Sequence, residues 1–267
     1  MLLNLEQITR KTCRLACDAG EFLRDEIMKL RTSDVEQKSF NNFVTYVDRE
    51  AEARILDQLQ KILPGSGFIA EENPEWRTKE LTWVIDPLDG TTNYIHGVPL
   101  YSVSIGLMQG DEILIGVIYE VNLNECFYTW KDAPSYRNGE MIRVSGTASV
   151  ADSLFATGFP YHDYGRLDEY MEIFRHLMQH SRGIRRLGSA AADLAYVTAG
   201  RYDGFFEYGL SPWDVTAGAL LVKNAGGIVC DFQGGGNFIF GKEIIAGNSK
   251  IHDEFTSLFT LWKKGLT

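Results

Sequence analysis

Two aspartates lie three residues apart in Asp86-Pro87-Leu88-Asp89-Gly90-Thr91-Thr92-Asn93, directly after the apolar run Leu81-Thr82-Trp83-Val84-Ile85. Carboxylate and carbonyl oxygens are what a hard cation such as Mg²⁺ prefers. Pro87 is expected to end the strand ladder and fix a turn. Gly90 allows the backbone to approach a ligand closely. Thr91 and Thr92 can open a short helix whose first amides have no intrahelical acceptor, a natural seat for phosphate. One segment thus carries the parts for a phosphate bridged to a metal. The same two aspartates would also suit a simple Asx turn.

Further carboxylates stand at similar element ends. Glu71 and Glu72 follow Phe68-Ile69-Ala70, and Asp214 lies in Ser211-Pro212-Trp213-Asp214. Strand ends and helix starts are where layered α/β proteins gather ligand groups. Each has another reading. Glu71 and Glu72 suit a solvated loop. Asp214 suits a Ser-x-x-Asp capping box with Pro212 at the first helical position, and Asp48 in Thr45-Tyr46-Val47-Asp48 suits another.

The elements that must position these groups follow from patterning. Residues 5–28 read as an amphipathic helix carrying Ile8, Leu15, Phe22 and Ile27, and 31–42 as a loop or exposed hairpin. A second helix starts near Thr45–Asp48 and stops at Pro64-Gly65. β-branched and aromatic runs then predict strands at 68–70, 81–86, 101–108, 113–121, 125–129 and 141–144, with a hairpin through Gln109-Gly110-Asp111-Glu112. The second half alternates. Strands are expected at 154–158, 183–187, 204–207, 228–232 and 243–247, and helices at 167–180, 190–199 and 212–224. A closing helix carries Ile251, Phe255, Leu258, Phe259 and Trp262. This is a layered α+β and α/β pattern without a linker. It is expected to form a single domain over 1–267, with an N-terminal lobe of about 1–150 and a C-terminal lobe of about 151–267.

Composition narrows the function class. The 267 residues carry a formal charge of −10, which argues against a general nucleic-acid footprint. No run approaches the ~20 apolar residues of a membrane span, and Met1-Leu2-Leu3-Asn4 lacks the basic start of a signal peptide, so a cytoplasmic location without membrane association is expected. Cys13, Cys17, Cys126 and Cys230 form no Cys-x-x-Cys pair and no cluster with histidine, and are read as small packing residues. His96, in Tyr94-Ile95-His96-Gly97, is read as a rim or packing histidine.

Asp86-Pro87-Leu88-Asp89-Gly90-Thr91-Thr92-Asn93 resembles the first signature of the inositol monophosphatase family, and Trp213-Asp214-Val215-Thr216-Ala217-Gly218 with Asn224-Ala225-Gly226-Gly227 resembles its second. Phe43–Asp48, Phe68–Glu72 and Gly188-Ser189-Ala190-Ala191 with Asp193–Tyr196 are also family-like, so the match covers nearly the whole chain in order. The resemblance implies an α-β-α-β-α sandwich of the inositol monophosphatase / fructose-1,6-bisphosphatase type. It implies a homodimer that hydrolyses small phosphorylated polyols with two or three Mg²⁺ ions and is inhibited by lithium. By position, Glu71, Asp86, Asp89, Asp214 and the Leu88 carbonyl would be metal ligands. Glu71 and Thr91 would orient the attacking water. The amides of Gly90 and Thr91 would hold phosphate, and Asp89, Ala190, Glu207 and Asp214 would meet the substrate. Lys38 has two readings, a group near the metals' water shell or an ordinary exposed lysine.

The mechanism expected on that basis is in-line attack by a metal-activated water, with a second cation facing the leaving oxygen. Histidinol phosphate and fructose 1,6-bisphosphate stay open as substrates. Thr92 argues against 3′-phosphonucleotides, because relatives that take them tend to carry lysine there. A regulatory binding role toward transcription or RNA-processing machinery is the rival from another class, with Arg182, Arg185 and Arg186 as a basic patch or a dimer contact.

Overall fold

The Asn4 side chain accepts the Gln7 amide and so starts α1 (Leu5–Ile27), whose Ile8, Leu15, Ala19 and Leu23 are buried. The computed structural model describes residues 3–30, 34–39, 42–73, 76–160 and 163–259, without the side chains of 37–39, 42 and 43. The expectations for the Lys38 side chain and for Trp262 lie outside the described residues. The segment read as a loop or hairpin contains β1 (Val35–Ser39) and β2 (Asn42–Thr45), paired antiparallel. The chain then enters α2 (Tyr46–Ile62) through a Thr45/Asp48 capping box.

A seven-stranded sheet follows: β3 (Gly67–Ala70), β4 (Leu81–Asp89), β5 (Ser102–Gln109), β6 (Glu112–Glu120), β7 (Glu125–Trp130), β8 (Ser135–Arg137) and β9 (Glu140–Ile142). The strands lie in chain order. β3 and β4 are parallel and the other neighbours antiparallel. The short helix α3 (Thr91–Ile95) interrupts it after β4. Gln109 pairs with Glu112 across the expected hairpin. Pro87 does not end the ladder. Pairing to β5 skips it through a register shift and resumes at Asp89 opposite Ser102. A residue without an N–H is absorbed by a bulge, which also turns the strand end toward the ligand side. β8 was not legible in the sequence, because three residues are too few to show a period.

The second half contains β10 (Leu154–Thr157), α4 (Leu167–His180), β11 (Gly183–Arg185), α5 (Ala190–Thr198), β12 (Gly204–Tyr208), α6 (Pro212–Asn224), β13 (Gly227–Cys230), β14 (Glu243–Asn248) and α7 (His252–Ser257). Its sheet runs β11-β10-β12-β14-β13 and is mixed.

Three apolar cores separate five layers. α1 and α2 cover one face of the first sheet through Leu23, Ile55, Trp83 and Ile115. α5 and α6 fill the space between the sheets through Leu194, Val197, Val215 and Leu221. α4 and α7 cover the second sheet through Tyr170, Leu177 and Phe255. α6 lies hard against the first sheet: a Cβ on Gly116 would fall 2.5 Å from the Ala217 carbonyl oxygen. That approach seats the N-terminus of α6, and with it Asp214, at the end of β4. Cys13 and Cys17 pack around the buried Cys126, and their contacts and burial push the Cys17 and Cys126 thiols up, as inert packing groups require. No helix among the described residues is long and apolar enough to cross a membrane.

Candidate metal and phosphate site

The end of β4 and the start of α6 bring three carboxylates together. Asp86, Asp89 and Asp214 each offer an oxygen within 4.8 Å of the others. Asp86 is buried, and its Oδ1 accepts the Leu88 amide at 2.9 Å. Asp214 accepts the Ser211 amide at 2.6 Å, so the capping box and the cluster are the same residue. Glu71 stands outside the 4.8 Å set but acts on Asp86 and Asp214 electrostatically. The Glu71–Glu72 turn is fixed by Glu52 of α2, whose carboxylate accepts the Glu72 amide at 2.8 Å.

Asp89 is held from the other side of the cleft. Its Oδ2 accepts the Ser189 hydroxyl at 2.6 Å and the Ala191 amide at 2.7 Å. Ser189 caps α5 and is itself in contact with Ser102 at 3.0 Å. Asn93 ties α3 to the same loop by donating to the Leu100 and Leu187 carbonyls. Gly90, at φ +102°, turns the chain from β4 into α3 where a side chain would be strained.

The electrostatics follow from this crowding. Burial first, then Glu71, Asp89 and Asp214, drive Asp86 well above the usual carboxylate range. Burial and Asp89 do the same to Asp214. Asp89 is pushed up to about 6 by burial, while Ser189, Ala191, Ala190 and Arg186 hold it down. Crowded all-oxygen donors that repel one another, one buried and two half-buried, fit a hard divalent cation, which removes the repulsion on binding.

This gives a pH prediction. A carboxyl raised by folding from 3.8 to about 6 binds more protons in the folded than in the unfolded chain across that window. Its contribution is therefore lost as pH rises through the window, by about 3 kcal/mol at most for Asp89. Metal-stripped protein should unfold at a higher urea concentration at pH 5 than at pH 7.5, and saturating Mg²⁺ should bring the pH 7.5 midpoint back up toward the pH 5 value. Equal midpoints for stripped protein at both pH values would contradict the placement of these acids.

Asp48 joins the site although its cap explained it fully in the sequence. Its Oδ2 accepts the Thr45 amide and hydroxyl at 2.8 and 2.6 Å, and its Oδ1 accepts the Thr91 hydroxyl at 3.0 Å. The Leu88 carbonyl lies 3.1 Å from the same hydroxyl. That hydroxyl has one proton, and the carboxylate is the stronger acceptor.

Beside the cluster a small cleft of about 90 Å³ is lined by Asp89, Arg186, Ala190, Asp193, Glu207 and Asp214, among others. Its lining includes the expected substrate-facing residues Asp89, Ala190, Glu207 and Asp214. Ser189 and Asp193 were missed as site residues. A Ser before an alanine-rich helix signals a cap, and nothing local says what that cap holds. The three arginines do not make one patch: Arg182 pairs with Asp152 at 3.1 Å, whereas Arg186 lines the cleft. His96 is exposed beyond α3. Trp83 is buried, and Trp213 packs edge-on to Trp76.

A model described as the inositol monophosphatase family matches residues 4–260 of this chain. An inositol-1-monophosphatase of Mesorhizobium japonicum is 40% identical over 238 residues, covering 88% of this chain and 90% of the relative. A protein of Pseudomonas aeruginosa named Nus factor SuhB is 43% identical over 243 residues, covering 89% and 90%. Among solved structures, the extragenic suppressor protein suhB of Bartonella henselae superimposes with a TM-score of 0.89 at 38% identity, covering 95% of this chain and 98% of that one.

Proposed function

The chain belongs to the inositol monophosphatase family of phosphoric monoester hydrolases, and from that premise we propose that it hydrolyses inositol monophosphate or a related small polyol phosphate with Mg²⁺. The observation that carries this is the set of three carboxylates within 4.8 Å at the end of β4, beside the α3 turn. Glu71, Asp86, Asp89, Asp214 and the Leu88 carbonyl would hold two or three Mg²⁺ ions. When bound, the cations neutralise the site, acidify water and stabilise charge on the leaving oxygen.

The chain's own groups do the rest. The Gly90 and Thr91 amides hold phosphate. Asp48 accepts a hydrogen bond from the Thr91 hydroxyl, which leaves that oxygen's lone pairs to accept from the attacking water. Glu71 orients that water from the other side. Glu207, Asp89 and Ala190 position the alcohol. The same reading extends to a cytoplasmic homodimer inhibited by lithium.

Phosphate release tests it, measured on inositol 1-phosphate, histidinol phosphate, fructose 1,6-bisphosphate and 3′-phosphoadenosine 5′-phosphate. The expected order puts inositol 1-phosphate first and the nucleotide last, as Thr92 suggests. Release from none of the four would sink the reading. A regulatory binding role is a second reading, favoured by the name of the Pseudomonas relative. Binding that survived loss of Asp86 would separate it from hydrolysis.

A further inference from the structure

We propose that Asp193 is a specificity-determining acceptor for a hydroxyl group of the substrate's alcohol, a role that rests on the phosphatase reading above. Asp193 lies in the first turn of α5, is 1% exposed and lines the cleft. Its Oδ1 has no hydrogen-bond partner. The cluster acids differ: Asp86 accepts an amide, Asp214 accepts an amide, and Asp89 accepts an amide and a hydroxyl. A buried carboxyl oxygen without a donor costs stability, and every other residue of α5 is buried too. An apolar side chain would suit folding better here. An acceptor that folding leaves unmet on a cleft wall is one that a ligand can meet.

The ligand's chemistry follows from the neighbours. Ionised phosphate oxygens only accept, and the seat proposed for them is the α3 turn. The alcohol brings O–H donors. Glu207 lines the same cleft, and Gly158 leaves it room, since a Cβ there would fall 2.0 Å from Glu207 Oε1. Arg186 acts on both acids and balances one of the two charges. This half of the cleft therefore suits a neutral polyol with two hydroxyls beyond the ester, one for Glu207 and one for Asp193. The final torsion of an aspartate is soft, so its carboxyl can turn to the incoming group.

The test compares inositol 1-phosphate with p-nitrophenyl phosphate, whose alcohol carries no further hydroxyl, on the full chain with Mg²⁺. Asp193→Ala should lower kcat/KM for inositol 1-phosphate by about 10- to 100-fold, mainly through KM, and leave p-nitrophenyl phosphate within about twofold. Asp193→Asn should lose less, because its carbonyl still accepts, and should melt about 2–4 °C higher as a buried acid is removed. Equal losses on both substrates, or no loss on either, would overturn the proposal. A wild-type protein that released phosphate from neither would overturn the phosphatase reading, and this inference with it.

Discussion

Asp89→Asn should lower kcat by about 10²- to 10³-fold at saturating Mg²⁺ while the protein stays folded. The geometry makes the substitution sharper than a lost charge. Oδ2 of Asp89 is fixed by two donors, Ser189 and Ala191. An asparagine must keep its carbonyl oxygen there, since an NH₂ group would face two other donors. Its NH₂ then takes the remaining position and opposes a cation rather than binding it. Stability should move the other way. Asp89 raises Asp86, Asp193, Glu207 and Asp214, so removing its charge relieves three buried acids and one half-buried one. The expected signature is an inactive protein with an equal or higher melting temperature. Near-normal turnover at saturating Mg²⁺ would refute the assignment.

Thr91→Ala should lower kcat by about 10²-fold or more with KM little changed, as for loss of a group that positions the nucleophile and its proton. Asp48→Asn should give a similar loss, because an asparagine that keeps its carbonyl oxygen on the Thr45 amide turns its NH₂ toward the Thr91 hydroxyl. The double variant should be hardly worse than either single one, since the two side chains act as one unit. Asp48 also caps α2 through Thr45, so thermal melts must accompany the kinetics. Asparagine can still accept from the Thr45 amide, and the cap should cost no more than about 1 kcal/mol. Losses that multiplied in the double variant would separate the two residues and remove Asp48 from the proposed unit.

Much of the fold was legible because local pattern and tertiary burial agree. α4 and α6 fall at the expected bounds. α4 shows the 3.6-residue apolar period through Tyr170, Ile173 and Leu177, and α6 is marked instead by its Ser211-Pro212 start and by Gly226 beyond its end. Strand and helix alternation pointed to α/β layers, and the five-layer sandwich was what the family resemblance implied. The failures share one cause, which is information held outside the local window. The β4 bulge depends on β5 supplying a partner beyond Pro87. β8 has three residues and is defined by its neighbours.

The site divides in the same way. Asp86 and Asp89 stand out by spacing. Asp48 and Asp214 have complete local explanations as caps; beside the family resemblance, it is the fold that shows Asp48 accepting the Thr91 hydroxyl and Asp214 lining the cleft. Ser189 lies 100 residues from the aspartate it holds. Asp193 is marked by a missing partner, which no sequence pattern records.

The central claim is that these carboxylates hold the cations on which phosphate-ester hydrolysis depends. It is tested most directly by phosphate release from inositol 1-phosphate after chelation and stepwise return of Mg²⁺. The account predicts no release from stripped protein and saturable recovery with Mg²⁺, abolished in Asp89→Asn. Full release from stripped protein, or recovery undiminished in Asp89→Asn, would contradict it.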